Sequence, residues 1–402
     1  MGELLVRRAY AVGSDPAGVA RALVAQLASP QLKIAFVFAH CRLDPQVLVA
    51  ELGALAAPVV GCSALSVIGA IRPPGSREPA AVALGLYGDW VRAGVGVATE
   101  LSKAALIRGR DAVHQAARGI ALTADALDPG RHVAITLFDG KSNHEEAFCI
   151  SSAAAAPQIR FVGGGASTYE VDVKTYVWAD GAVHSDAAVV VVLESELPFH
   201  AVSSSHLEPT ELITVVTSAT GRSIDELDGR PAARRLRQLV NGIGDSLDEP
   251  RPLQAFARYI HGVPYVRSMH RIDGDRLVLA SAVETGHILH VMRPGDLVGI
   301  MRRDLGVAAE RVGGTMAAFL AFSCIGRHSE AALRGRKDEL SAAFSAHPTV
   351  GFQSLSEQSG MLLVNYTLTG LAIGERSATM GSGDPAGSAG GQALRGIGAR
   401  RS

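Results

Sequence analysis

Short apolar runs alternate along the chain with segments whose apolar positions follow a helical period. Ile34-Ala-Phe-Val-Phe38 has the length and composition of a buried strand. Asp44-Pro45 follows, an N-cap and a proline at the first helical position, predicting a helix to about Leu55. A second strand, Ala57–Cys62, runs into the turn Gly61-Cys62-Ser63-Ala64. After a Pro/Gly loop from Arg72 to Pro79, Ala81–Tyr87 and Trp90–Ala98 predict a hairpin closed at Gly88-Asp89.

The same order then returns. His132–Phe138 predicts a strand, Asn143–Ala155 a helix and Ile159–Gly163 a second strand ending in Gly164-Gly165-Ala166-Ser167. Lys174–Trp178 and Ala182–Leu193 predict a hairpin with Asp180-Gly181 as its type I′ turn, and a helix over Asp111–Leu127 links the two copies. A third, partial copy comprises the strand Ala317–Cys324, a helix Glu330–Phe344, the strand Thr349–Gln353, the turn Ser354–Glu357 and a returning strand Met361–Ala372. Between the second and third copies, Ser223–Ala232 leads into a helix to about Leu239 with Asp228 as its cap. Val263–Ile272 and Arg276–Ser281 form a hairpin, Ile288–Met292 a strand, and Gly295-Asp296 opens a helix towards Ala309. From Gly374 onward large apolar residues almost vanish, which predicts a disordered tail over 375–402.

The pattern predicts an α/β protein of two domains, 1–198 and 199–374, with mixed, largely antiparallel sheets flanked by helices and built from recurring strand-helix-strand-hairpin units. Each copy places a turn of small residues after its second strand, where a ligand can approach the backbone closely. Tight turns alone also account for such glycines. The expectation is that the three turns gather around a common hollow.

Composition narrows the function. At 402 residues, 48% apolar and 19% charged, the chain is long enough for two well-packed domains. A net charge of -1 and the lack of a basic aromatic segment argue against nucleic acid or an anionic membrane as partner. No run suits a bilayer span, the charges near Met1 come in the wrong order for a secretory signal, and Val6 fails the myristoylation pattern. Four cysteines (Cys41, Cys62, Cys149, Cys324) make no disulfide framework in a chain this size, so a reducing cytoplasm is expected.

The order of Gly61-Cys-Ser-Ala64, Gly163-Gly-Gly-Ala166, Thr175-Tyr-Val-Trp-Ala-Asp-Gly181 and Leu227-Asp-Gly-Arg-Pro-Ala232 resembles FIST proteins (F-box and intracellular signal transduction). Phe322-Ser-Cys-Ile-Gly-Arg327, Gly351-Phe352, Glu357 and Asn365-Tyr-Thr-Leu368 look like the end of that family's second domain. The resemblance covers nearly everything to Gly374. It implies a bacterial sensory module with N-terminal and C-terminal FIST domains that binds a small ligand such as an amino acid. Some members of the family sense nitric oxide through haem. Ser356-Glu357 replaces the family's usual Gly-Glu pair, and Val364 stands where histidine is frequent. No output segment follows, so the implied partner is a separate signalling protein, for example a histidine kinase.

Candidate ligand-binding residues follow from the turns and the strand ends: Cys62, Ser63, Ala64, Gly164, Gly165, Cys324, Arg327, Glu357 and Asn365, with Arg267 on Tyr265–Ser268. Arg327 and Arg267 offer a bidentate fork to a carboxylate, with a structural or solvated arginine as the alternative, more so for Arg267. Glu357 and Asn365 suit an ammonium group, or else local backbone bonds. Cys62 and Cys324 could be nucleophiles, but no His and Asp complete a triad, and buried thiols mostly pack as small hydrophobes. No enzyme is expected. His287 and His290 would point to opposite faces of a strand, and His40-Cys41 with Cys62 and Cys324 matches no zinc spacing, so no metal is expected. No cofactor is assigned. Haem stays open through a single axial histidine, with His270 and His290 as guesses among thirteen histidines. The readings thus stand in the order ligand sensor, haem-based gas sensor, thiol enzyme.

Overall fold

A computed structural model describes residues 5–69, 78–168, 173–242, 255–260 and 262–375. The first copy of the repeat runs β1 (Val6–Val12), α1 (Pro16–Leu27), β2 (Leu32–His40), α2 (Pro45–Leu52), β3 (Val59–Ala64), β4 (Val67–Ile68) and β5 (Ala80–Tyr87). The second runs β6 (Val91–Thr99), α3 (Leu101–Gly119), β7 (His132–Phe138), α4 (Glu145–Ala155), β8 (Arg160–Gly165), β9 (Val177–Ala179), β10 (Ala182–His184) and β11 (Ala187–Ser195). The third opens with β12 (Phe199–Ser205) and is then interrupted by an insert.

The insert comprises β13 (Leu207–Thr220), β14 (Ser223–Leu227), β15 (Arg230–Pro231), α5 (Ala232–Asn241), β16 (Ala255–Ile260), β17 (Val263–Asp273), β18 (Arg276–Leu279) and β19 (Ile288–Pro294). The third copy then resumes with α6 (Leu297–Arg311), β20 (Met316–Cys324), α7 (Ile325–Leu333), α8 (Lys337–Ser345), β21 (Thr349–Ser354), β22 (Glu357–Ser359), β23 (Leu362–Val364) and β24 (Thr367–Gly374).

Local chemistry sets several of these boundaries. The carboxylates of Asp15 and Asp44 cap α1 and α2, each followed by a proline, and Asp296 caps α6 by accepting from Gly299 N. Strands β2, β7 and β20 are almost wholly buried because each lies between two neighbours with helices over one face.

Each copy sets four strands in one order: β1-β5-β2-β3, β6-β11-β7-β8 and β12-β24-β20-β21. The first two pairings in each are antiparallel and the last is parallel. The short arm after the second strand leaves its own copy. β4 pairs with β21, β9 with β3, and β22 with β8. The exchange is cyclic, so three copies close a ring and no second-strand edge is left unpaired. The expected division at 198/199 falls where the second copy ends, and hydrogen-bonded ladders cross it. The insert is a body of its own: β13 pairs with both β19 and β14, closing that sheet into a barrel around Val216, Ile224, Leu236, Phe256 and Leu289.

Alternation along the strands aims Ile34, Phe36, Phe38, Val133, Ile135, Leu137, Ala318, Leu320 and Phe322 into one central cluster. Phe38, Phe322 and Phe352 meet there with ring centroids 4.8 to 6.2 Å apart. The three small-residue turns do gather. Ser167 Oγ donates to Gln353 O and accepts from Leu65 N at 2.8 Å, while Ser167 N donates to Ser63 O at 3.1 Å. Gly165 N donates to Ser356 O, and Leu355 N to Gly165 O. Among the described residues the expected hollow does not open between them, because these bonds close the corner and the phenylalanines fill the space below it. Gly164 shows why the turn residues are small: a Cβ there would lie 2.9 Å from Phe322 Cβ. The space is taken by the side chains of Phe322, Ser354 and Phe352.

Other expectations are corrected. Gly88-Asp89 closes no hairpin, since β5 pairs with β1 and β2 while β6 pairs with β11; an alternating pattern specifies a strand and not its partner. Asp180-Gly181 does turn a hairpin, with both residues at positive φ, but its strands are only β9 and β10. The helix linking the first two copies starts at Leu101 and stops at Gly119, followed by a 3-10 turn over Ala124–Ala126. The helix expected over Glu330–Phe344 breaks at Gly335, whose φ is +68°. Asp228 caps no helix; Asp228-Gly229 turns β14 into β15, and the Asp228 side chain binds Val215 N and Arg235. The returning strand at 361–372 is two strands, split at Tyr366. Beyond Glu375 the tail lies outside the described residues, as does most of the loop at 72–79.

The packing makes one firm demand. Phe322→Ala removes a ring from the centre of all three sheets and is expected to cost about 3–5 kcal/mol in chemical denaturation. A loss under about 1 kcal/mol would show that the centre is loosely filled.

Candidate functional site

The end of the first inner strand carries a side-chain acceptor at the equivalent position of every copy. His40 Nδ1 accepts from Arg42 N at 3.1 Å, Asp139 Oδ1 from Lys141 N at 3.0 Å, and Cys324 Sγ from Gly326 N. Asp139 and Cys324 each receive a second backbone N–H, from Asp186 and Tyr366. Both donors sit at left-handed φ, 51° and 55°, just before the returning strand, which turns their N–H back onto the strand end.

In the second copy this corner is complete in itself. Asp139 also accepts from Thr175 Oγ1, so its carboxylate is fully engaged. Beside it opens a cavity of about 380 Å³ walled by Ser102, Lys141, Ser142, Lys174 and Ser185.

The third copy is different. Its corner holds Cys324, Ser354 and Glu357 among apolar neighbours, and the first turns of α7 add Arg327 and Glu330. Glu357 is wholly buried. Its Oε1 accepts from Ser354 Oγ at 2.6 Å and its Oε2 from Thr367 N at 3.4 Å, and the Cys324 thiol donates to it as well. Arg327 is also wholly buried, yet among the described residues its one bond is Nη1 to Ser204 O at 3.4 Å, and Nε and Nη2 have no partner. Asn365 accepts from Ser281 Oγ at 3.3 Å, and among the described residues its Nδ2 has no partner. Gly326 fits under the Tyr366 ring, which a Cβ would approach to 2.8 Å.

Burial governs the charges. It pushes the Glu357 carboxyl well above the usual range, against the pull of Ser354, Thr367, Cys324 and Arg327. It also pushes the Cys324 thiol up, and nearby Glu357 adds to that, so the thiol stays protonated at neutral pH. Arg327 is pulled down to about 10 by burial, opposed by Glu357, Cys324, Glu330 and Asp304, and remains a cation. Behind it His206 Nε2 meets Glu330 Oε2 at 2.7 Å while Nδ1 has no partner; burial lowers this imidazole below its usual value and keeps it neutral.

The structure therefore brings together Cys324, Arg327 and Glu357, with Gly164 directly opposite Glu357 in the ladder and Gly165 next to it. Asn365 follows Val364, the residue paired with Glu357, and turns its amide to Ser281. Cys62 and Ala64 instead face the central core, and Ser63 is occupied by Tyr176 and Ser167. Arg267 borders the cluster but is committed, donating to Leu363 O and Glu146 Oε1, both at 2.8 Å. His206, Ser204, Ser354 and Glu330 were not foreseen. Glu330 had a signal, three residues past Arg327 on one helix face; His206 had none. His290 packs edge-on against Tyr259, and His270 is exposed. The cavities of about 380 and about 10 Å³ have no histidine in their walls, so neither offers haem an axial ligand. Among the described residues no group of three or more His, Cys, Asp or Glu could hold a metal ion.

The FIST N domain family matches residues 33–230 and the FIST C domain family residues 232–360. The chain belongs to the FIST family. FIST domains are small-ligand sensor domains of signalling proteins. No curated protein matches this FIST chain. Among solved structures, a cyanuric acid hydrolase from A. caulinodans is similar at 10% identity and a TM-score of 0.32, over 92% of this chain and 99% of that one.

The raised carboxyl fixes a pH trend. Above the ordinary glutamate value of 4.5 the unfolded chain releases a proton that folded Glu357 keeps, so this group erodes stability as pH rises until its folded value is passed. Glu357→Gln is expected to gain stability relative to the parent between pH 4.5 and 7.5 in urea melts. A constant difference, or one of opposite slope, would contradict a carboxyl held protonated by burial.

Proposed function

We propose that this FIST protein senses a small carboxylate-bearing metabolite, of the amino-acid class, at the Arg327 cluster and performs no chemistry on it. The observation that carries this reading is Arg327. A guanidinium removed from water with two unpartnered nitrogens is costly, and a carboxylate supplies the bidentate partner those nitrogens lack. Asn365 Nδ2 offers a further donor to the same group, while Glu357 and Ser354 offer oxygens to an ammonium. An α-amino acid presents both charges within one small molecule.

A thiol held protonated, with no base beside it other than a carboxyl that is itself raised, is a poor nucleophile. That favours recognition over turnover. Binding at a buried site changes the relative stability of two conformations of the chain, and a separate output protein, such as a histidine kinase, reads that change. Among the described residues no helix is long and apolar enough to cross a membrane.

A thermal-shift panel of the amino acids and small dicarboxylic acids tests this. A ligand at a hundredfold excess over its Kd stabilises the fold by about 2.7 kcal/mol, and Arg327→Met is expected to abolish that shift while still melting cooperatively. A panel without a hit, or a shift that survives Arg327→Met, removes the proposal.

A further inference from the structure

Arg327, Glu357 and Asn365 are sealed, so a ligand reaches them only when something moves. The insert is what covers Asn365 and Tyr366. Ala255, Ala257, Val266 and Met292 of the barrel pack on Tyr366, and Ser281 donates to Asn365. The barrel leaves the third copy at His206 and returns at Gly295, and the two stem residues are joined by Gly295 N to His206 O at 2.9 Å. A Cβ on Gly295 would sit 2.7 Å from that oxygen. The stem is narrow, and the His206 side chain is buried against Glu330 beside Arg327.

Away from the stem the barrel is fastened to a different copy. Arg222 Nη2 meets Glu145 Oε2 at 2.6 Å and Arg267 Nη2 meets Glu146 Oε1 at 2.8 Å. Glu146 also accepts from Ala282 N at 3.0 Å. Both carboxylates belong to the first turn of α4, where the helix dipole favours negative charge. One covalent stem to the third copy and one polar fastening to the second make a hinge and a latch.

We propose that the inserted barrel is a lid over the Arg327 cluster, hinged at His206 and Gly295 and latched to α4 by the Arg222–Glu145 and Arg267–Glu146 pairs. Ligand exchange requires the latch to open, and the position of the barrel is the conformational variable that the ligand controls. This rests on the Arg327 cluster being the binding site, but its test needs no ligand, so the two can fail separately.

The buried Cys324 thiol, bonded to Tyr366 N, reports on the seam, while buried Cys62 reports on the central core. Peptide-resolved labelling of the full chain with iodoacetamide compares their rates. In Glu145→Gln/Glu146→Gln, and separately in Arg222→Ala, which leaves α4 untouched, Cys324 is expected to label about tenfold faster or more, with Cys62 unchanged. An unchanged Cys324 rate in both variants overturns the lid. So does acceleration of Cys324 and Cys62 in step, because the pairs then support the whole fold rather than a latch.

Discussion

The rest of the molecule depends on the exchange of short arms between copies. Each second strand would end its sheet as an open edge, and each is instead covered by the arm of another copy: β3 by β9, β8 by β22, β21 by β4. Because the exchange is cyclic, the three sheets must turn the same alternate residues inward, and these form one apolar centre. Phe38, Phe322 and Phe352 occupy it, and Ser167 ties the three corners above it. A ring closed in this way has no room for a ligand on its axis. Recognition is moved outward to the strand ends, where one copy differs from the others.

That difference is a matter of single residues at matched places. Opposite Cys62 in the first copy stands Val177 of an arm; opposite Gly164 in the second stands Glu357. The arm of the third copy therefore carries a carboxyl group into a position that is apolar elsewhere, and α7 brings Arg327 within electrostatic reach of it. The insert then covers the place from outside, so charge, burial and a movable cover coincide at one corner. A guanidinium and a carboxyl buried near each other without a salt bridge do not stabilise a fold, and among the described residues the guanidinium finds no partner for two of its nitrogens. The ring has two other corners, with Asp139 and His40 in the matching place, and Asp139 is fully satisfied by local donors.

Much of this was legible in the amino-acid sequence. The repeated strand-helix-strand unit, the Asp-Pro starts of α2 and the Asp180-Gly181 turn are local features, and local features are what periodicity and turn chemistry encode. Partnership is not local. Trp90–Ala98 reads as the second arm of a hairpin, yet β6 crosses to another sheet, and Gly94 and Gly96 are small because the backbone of α3 passes over them. The outer strands β1, β6 and β12 hid the repeat's true length for the same reason. The small-residue turns were read as room for a ligand when the room belongs to Phe322. Cys324, Arg327, Glu357 and Asn365 were found because they cluster at turn ends, while His206 is joined to them only through the stem of an insert and no sequence spacing shows it.

The central claim is that the ring's axis is solid and that the buried guanidinium of Arg327 is the group that meets the ligand. Arginine side-chain ¹⁵N NMR on the full chain addresses that group directly, with Arg327→Lys to assign its Nε–H signal. On titration with an amino-acid or dicarboxylate panel, the account predicts that the slowly exchanging Arg327 signal shifts and saturates, while exposed arginines such as Arg303 stay in place. If Arg327 stays fixed while a ligand demonstrably binds and perturbs other residues, recognition lies elsewhere and the account is wrong.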